Sequence, residues 1–239
     1  MSIYVFPEGE TEARVLKTIK EKMPLKMDIG EGRGRHQINR DLATKLEPFL
    51  ERGDPVRCLV LRDLDAHTSE TVESIVQSVR DTVNGLLQKR VPGTPVVTLS
   101  ALPDFPSVYT LALSQPDFRL ALHIATYRWH EEFVKATIDD YVLSLAVQPT
   151  TAKALVDKKG WTISAEDLLH KVTTEIPGLL KGNGIPLREA KDYVRLYAAV
   201  IQEHTSPPVF AQRTLAHADE GDLKRVFAPL LAAIEFLRS

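Results

Sequence analysis

The segment Val56-Arg57-Cys58-Leu59-Val60-Leu61 constrains this chain more than any other: a short run, apolar but for Arg57, entered through Gly53-Asp54-Pro55 and left through Arg62-Asp63-Leu64-Asp65. A run of that length between chain breakers reads as a strand buried on both faces. Such a strand needs a sheet with helices on each side, and the flanking sequence supplies them. Ser69–Gln88 lines up Val72, Ile75, Val76, Val79 and Val83 on one helical face, and Asn39–Leu50 does the same with Leu42, Leu46 and Phe49. Upstream, Ile3–Phe6 reads as a strand and Glu10–Lys22 as a helix, with Gly9 at the turn and Leu25–Ile29 as a weaker second strand. Pro95–Leu99 and Arg119–Thr126 read as further strands. The alternation predicts an α/β fold, a parallel sheet flanked by helices.

Beyond Ala101 the pattern changes, and Pro103, Pro106 and Pro116 interrupt the chain. Helical periodicity then dominates over Glu131–Ala146, Thr150–Asp157, Ser164–Leu180, Pro186–Gln202 and Gly221–Leu237. Ser164 through Asp167 has the form of a capping box, and Pro186 suits a first helical turn. The predicted partition is an α/β domain over 1–130 and a mostly helical region, 131–239, packed on it. With 239 residues, 44% of them hydrophobic, the chain can bury a substantial core.

Cysteine and charge close off several function classes. The lone Cys58 lies inside the apolar strand, so disulfides and cysteine-rich zinc sites have no raw material, and a cytoplasmic setting is expected. The N-terminus carries no basic segment before Pro7, and no apolar run approaches the length of a membrane span, so neither secretion nor membrane insertion is expected. A net charge of -2 excludes binding of polyanions over the whole surface. Any nucleic-acid contact must be local, and the candidates are Arg33, Arg35, His36 and Arg40, with Lys45 nearby, around Gly30, Gly32 and Gly34. An ordinary solvated loop is the equally weighted alternative.

Two acidic groups fall where ligands bind in a parallel α/β sheet, beyond the carboxyl ends of the strands. Glu8 and Glu12 bracket the first strand-to-helix turn, and Asp63 and Asp65 close the strong strand two residues apart. If that strand persists, both aspartates project to the same side. Four carboxylates gathered there would repel one another without a cation. Mg²⁺, with Mn²⁺ as the substitute ion, takes oxygen ligands and leaves positions for phosphate oxygens.

The segments Val5-Phe6-Pro7-Glu8-Gly9-Glu10-Thr11-Glu12 and Leu59-Val60-Leu61-Arg62-Asp63-Leu64-Asp65, with Glu8 and Asp63 55 residues apart, resemble the two motifs of Toprim domains. The resemblance covers about the first hundred residues and implies a Toprim-like Rossmannoid sheet. It implies that Glu8 is the general acid or base, that Asp63 and Asp65 are metal ligands, and that Glu12 is the extra acid of the nuclease branch. Toprim topoisomerases need a nucleophilic tyrosine in further domains, and bacterial primases a cysteine-based zinc domain. The OLD (overcoming lysogenization defect) nucleases fit better. They imply hydrolysis of DNA or RNA phosphodiesters, a role in phage defence, and an ATPase partner, since no G-x-x-x-x-G-K-[ST] loop occurs here. No third acidic segment or family lysine aligns; Glu131, Glu132, Lys153 and Lys191 are the candidates.

Three rival readings accompany this one. Each aspartate alone suits a solvated strand end or a helix N-cap. A haloacid-dehalogenase-like phosphatase also uses Asp-x-Asp at a strand end, but Thr68 arrives one place late for that motif. A Toprim-derived subunit without catalysis, binding nucleic acid or a partner, is the non-enzymatic alternative. Among the scattered histidines His67 stands out, two residues beyond Asp65 and within reach of a bound phosphate.

Overall fold

The computed structural model describes residues 2–65, 70–157, 162–202 and 205–239, and for Asp65 the main chain alone. Contacts divide the chain into Met1–Thr126 with Pro229–Ser239, and Tyr127–Ala228, where the sequence reading divided it into 1–130 and 131–239.

The first unit opens as expected with β1 (Ile3–Phe6), α1 (Glu10–Lys22), β2 (Met27–Ile29), α2 (Arg35–Arg52), β3 (Val56–Asp65) and α3 (Val72–Arg90). β4 (Ser100–Leu102), β5 (Phe105–Leu113) and β6 (Phe118–Ala125) follow. The strands run in the order β2-β1-β3-β6-β5-β4. β1 is parallel to β2 and β3, and β3 to β6, whereas β5 is antiparallel to both β6 and β4. The sheet is therefore mixed and mostly parallel, flanked by helices.

Strand order dictates where the helices go. From β1 the chain moves one way to β2, and from β2 it passes back across β1 to β3, so right-handed crossovers put α1 and α2 on opposite faces. The burial agrees. Leu42 and Leu46 of α2 and Val79 and Val83 of α3 join Cys58, Val60, Leu120 and Leu122 in one apolar cluster, from which the buried Val15, Leu16 and Ile19 of α1 are absent.

One expectation over residues 95–113 fails, and one hairpin there was not foreseen, each for an identifiable reason. Pro95–Leu99 is irregular, because the side-chain amide of Asn84 on α3 takes both main-chain groups of Val97, donating to its oxygen at 3.0 Å and accepting from its nitrogen at 2.8 Å. The strands lie further on, in the β4–β5 hairpin that the prolines obscured. Pro106 is tolerated as the second residue of β5, next to the turn.

The second unit is mostly helical: the helix expected from Glu131 starts only at Ile138, after a two-residue strand, β7 (Lys135–Ala136), and the helices are α4 (Ile138–Ala146), α5 (Pro149–Asp157), α6 (Ala165–His170), a π-helical turn (Lys171–Glu175), α7 (Ile176–Gly182), α8 (Ala190–Val200), α9 (Pro207–His217) and α10 (Glu220–Val226). The Ser164 hydroxyl caps α6 by accepting from Asp167 N at 3.0 Å, as its spacing predicted. Pro186 precedes its helix by several residues; Pro177 and Pro207 occupy first turns instead. Buried contacts between Tyr197 and Phe210 and between Tyr141 and Phe227 tie this unit together. Asp140 is fully buried at the start of α4, and although Trp129 N and Thr137 N donate to it, burial pushes its carboxyl up to about 6. The closing helix α11 (Ala228–Arg238) joins the first unit, where Arg119 Nη1 donates to Phe236 O and Ser239 Oγ.

Candidate functional site

The order of strands reverses between β1 and β3, and in open α/β sheets the crevice beyond the strand ends at such a switch is where ligands bind. Glu8, two residues past β1, reaches across to the end of β3. Its Oε2 accepts from Asp63 N at 3.1 Å and from Arg62 Nε at 2.9 Å. The register behind this contact is fixed deeper in the sheet, where Phe6 lies opposite Val60. Glu8 and the start of the Asp-x-Asp motif are thus brought together.

β3 persists through Asp65, as the two-residue spacing requires. The Asp65 side chain and all of His67 lie outside the described residues. Among the described residues, no group of three or more His, Cys, Asp or Glu side chains forms a metal site. Glu8 and the half-buried Asp63 are oxygen donors of the kind magnesium takes, on adjacent strand ends, but the Glu8 carboxylate is held by Arg62 and the Asp63 main chain, and the pleat sends the Asp63 side chain to the other face from Arg62.

Glu12 has a different observed contact. Buried to 3% exposure, it accepts from Gly9 N at 3.0 Å through Oε2 and so caps the first turn of α1. The motif's second glutamate therefore helps hold the turn that carries Glu8.

Arg62 is the residue that sequence reasoning missed. It shares strand parity with Cys58 and Val60 and so projects onto the α2/α3 face, while Asp63 takes the opposite parity. Only 5% exposed, Arg62 bridges Glu8 and Glu70, its Nη2 donating to Glu70 Oε1 at 2.6 Å. The signal was present in the sequence: a guanidinium at a core-parity position of a buried strand requires carboxylate partners.

Arg62 and Glu70 open into a polar depression of about 460 Å³ that Arg35, His36, Asn39, Ser74 and Ser78 complete. Two of the expected nucleic-acid contacts, Arg35 and His36, are therefore placed beside the carboxylate site, and Arg35 Nε donates to His36 Nε2 at 3.3 Å. Arg40 is exposed on α2. Arg33 is also exposed, but Glu31 pairs with it at 2.9 Å, which blunts its attraction for phosphate and holds its guanidinium above the ordinary pKa.

The glycine-rich segment is more than a tether for these cations. Gly30 N donates to Val5 O at 2.9 Å and Gly34 N to Glu8 O at 2.7 Å, which clamps the loop along the end of β1. A Cβ on Gly32 would lie 2.0 Å from the Gly9 carbonyl carbon, so only glycine lets the two backbones cross. Gly34, at φ 90, turns the chain into α2.

Three of the four candidates in the second unit have local partners: Glu132 pairs with Lys181, Lys153 with Asp157, and Lys191 approaches the buried Asp139 at 3.6 Å, while Glu131 is exposed. Neither a protein-family model, nor a curated protein, nor a solved structure matches this chain.

Proposed function

We propose that this chain is a metal-dependent nuclease of the Toprim kind that hydrolyses phosphodiesters of DNA or RNA. The observation that carries the reading is the meeting of the Glu8 carboxylate with the Asp63 main chain at the reversal of strand order. Asp63 and Asp65 would hold Mg²⁺ or Mn²⁺, with Glu8 and Glu12 as the further acidic groups. When bound, the ion would stabilise charge developing on the phosphate oxygens.

The chain's own residues have separable tasks. Glu8 moves the proton of the attacking water, and Arg62 and the Asp63 N–H fix the orientation of its carboxylate. Arg35 and His36 face the neighbouring depression and hold a flanking phosphate, a contact sensitive to salt and indifferent to base sequence; His67 and Arg40 extend this set. An ATPase partner and a role in phage defence belong to the same proposal, as does action in the cytoplasm. No helix among the described residues is long and apolar enough to cross a membrane.

The test is cleavage of plasmid, linear duplex, single strands and transfer RNA with each divalent ion. Glu8→Ala should lose about 100-fold or more, the scale of a lost general base, and Asp63→Ala should lose cleavage together with the ion it would hold. Variants that fold and cut as well as wild type would overturn the proposal. A second reading, a nucleic-acid-binding or regulatory subunit without catalysis, draws support from the pairing of Glu8 with Arg62 rather than with another acid. Calorimetry separates the two, since the inert subunit would bind neither Mg²⁺ nor Mn²⁺.

A further inference from the structure

A second cavity, of about 480 Å³, lies along the edge of the sheet beside α2, within the range of small-molecule sites. Its origin is topological. β2 is a three-residue edge strand, and α2 packs its Ile38, Leu42, Leu46 and Leu50 face onto the cluster centred on β3. The next stripe of the helix, Asp41, Lys45, Pro48 and Arg52, follows the helical repeat and lines the opening above Tyr4 and Asp28.

The floor of this groove is aromatic and its rim is charged. Tyr4 and Phe49 meet with ring centres 4.7 Å apart. Lys45 Nζ lies 5.6 Å from the centre of the Tyr4 ring and 2.9 Å from Asp28, and the Arg52 guanidinium lies 4.9 Å from the centre of the Phe49 ring. Three acids, Asp28, Glu31 and Asp41, balance three cations, Arg33, Lys45 and Arg52, around the lining.

That balance selects the ligand. A hydrocarbon chain would strip water from a rim where Lys45 pairs with Asp28, Arg33 with Glu31 and Arg52 with Asp54, and would return no hydrogen bond to it. A bare polyphosphate would meet three carboxylates and gain nothing from the rings. A planar heteroaromatic ring with donors and acceptors around its edge satisfies both features, because it stacks on an aromatic or guanidinium plane and hydrogen-bonds the rim.

The geometry points to a nucleobase-binding pocket in which one unpaired base stacks against Tyr4, Phe49 and Arg52 while Asp28, Asp41 and Thr44 meet its edge. The pocket adjoins the carboxylate site: its lining includes Pro7, which precedes Glu8, and Arg33, which precedes the Gly34 amide bound to Glu8 O. This inference deepens the nuclease reading and rests on it in placing the base on a strand whose phosphate reaches Glu8. The implied substrate is single-stranded nucleic acid.

The test is fluorescence anisotropy of a labelled single-stranded oligonucleotide in EDTA, with a hairpin duplex and unlabelled nucleoside monophosphates as competitors. Two variants are compared with wild type. Phe49→Leu keeps apolar bulk and removes the stacking face, and Thr44→Trp fills the groove from an exposed helix position. Loss of one stacked base corresponds to about tenfold weaker binding, and both variants should show it. Single strands outcompeting the hairpin, with loss in both variants, supports the strand as the source of the base. Competition by monophosphates that both variants abolish supports the same pocket with a free nucleotide as its source. Absence of binding, equal affinity for hairpin and single strand, or variants that bind like wild type would overturn it. Cleavage with Mg²⁺ is scored separately. Base binding without cleavage sinks the nuclease reading alone, and cleavage by variants that no longer distinguish single strand from duplex leaves the nuclease reading in place.

Discussion

Replacing Arg62 with methionine tests whether the buried arginine is the keystone of the strand-end site. The substitution keeps much of the aliphatic stem, removes two charge-assisted hydrogen bonds at 2.9 and 2.6 Å, and leaves Glu8 and Glu70 facing each other's vacated partner. Truncating one member of a fully buried ion pair costs about 3–5 kcal/mol. Here the two carboxylates are 20% and 18% exposed, and Glu8 retains the Asp63 N–H, so water and the main chain recover part of that loss. The expected cost is about 2–3 kcal/mol, which at about 1.5 kcal/mol per molar urea moves the unfolding midpoint down by roughly 1.3–2 M. Circular dichroism reads the transition, and hydrogen exchange of β3 peptides assigns it to the first unit. In a double-mutant cycle with Glu8→Gln, the two losses should fall short of additivity by about 1 kcal/mol or more. Arg80→Met, on an exposed pair with Asp81, is the control and should stay within about 0.5 kcal/mol of wild type. An Arg62→Met midpoint matching that control would refute the reasoning.

Three further outcomes follow from particular contacts. Gly32→Ala should lower stability by about 1–3 kcal/mol, read as a fall in the thermal midpoint, because its new Cβ would overlap the Gly9 main chain; an unchanged midpoint would show that the loop does not cross the Glu8 turn. Glu12→Ala should cost about 1 kcal/mol while Glu12→Gln, still able to accept from Gly9 N, costs little. If Glu12→Gln folds like wild type but loses cleavage, Glu12 acts on the metal as well as on the helix. Burial lowers the imidazole of His123 on β6 to about 4, against about 6.5 when unfolded, so proton uptake favours the unfolded chain. Its share of stability is intact above about pH 6.5 and is lost as pH falls toward 4, by about 3 kcal/mol in all. His123→Leu should flatten that part of the pH profile in urea titrations, and an unaltered slope would contradict it.

The local pattern of the first ninety residues was legible because each element satisfies its own rules. β3 carries the apolar run Cys58–Leu61, α2 and α3 carry one apolar face each, and Gly9 marks the first turn. The segment between α3 and β6 was not legible, since nothing local reveals that the Asn84 amide on α3 will take the main-chain groups a strand at Val97 would have used. The same holds for Pro229–Ser239: its periodicity gives a helix, and contacts made by Arg119, more than a hundred residues away, decide which unit it joins.

At the site, sequence alone determined which carboxylates lie at strand ends, because periodicity locates the strands and composition locates the acids. Tertiary structure decided what those carboxylates touch. The reversal of strand order set Glu8 against the end of β3, the pleat sent Arg62 to one face of the sheet and Asp63 to the other, and the crossing at Gly32 clamped the turn between them. The physical reason is range: propensity and pattern act over a few residues, whereas partners 55 positions apart along the chain are chosen only when the sheet brings them within a hydrogen bond.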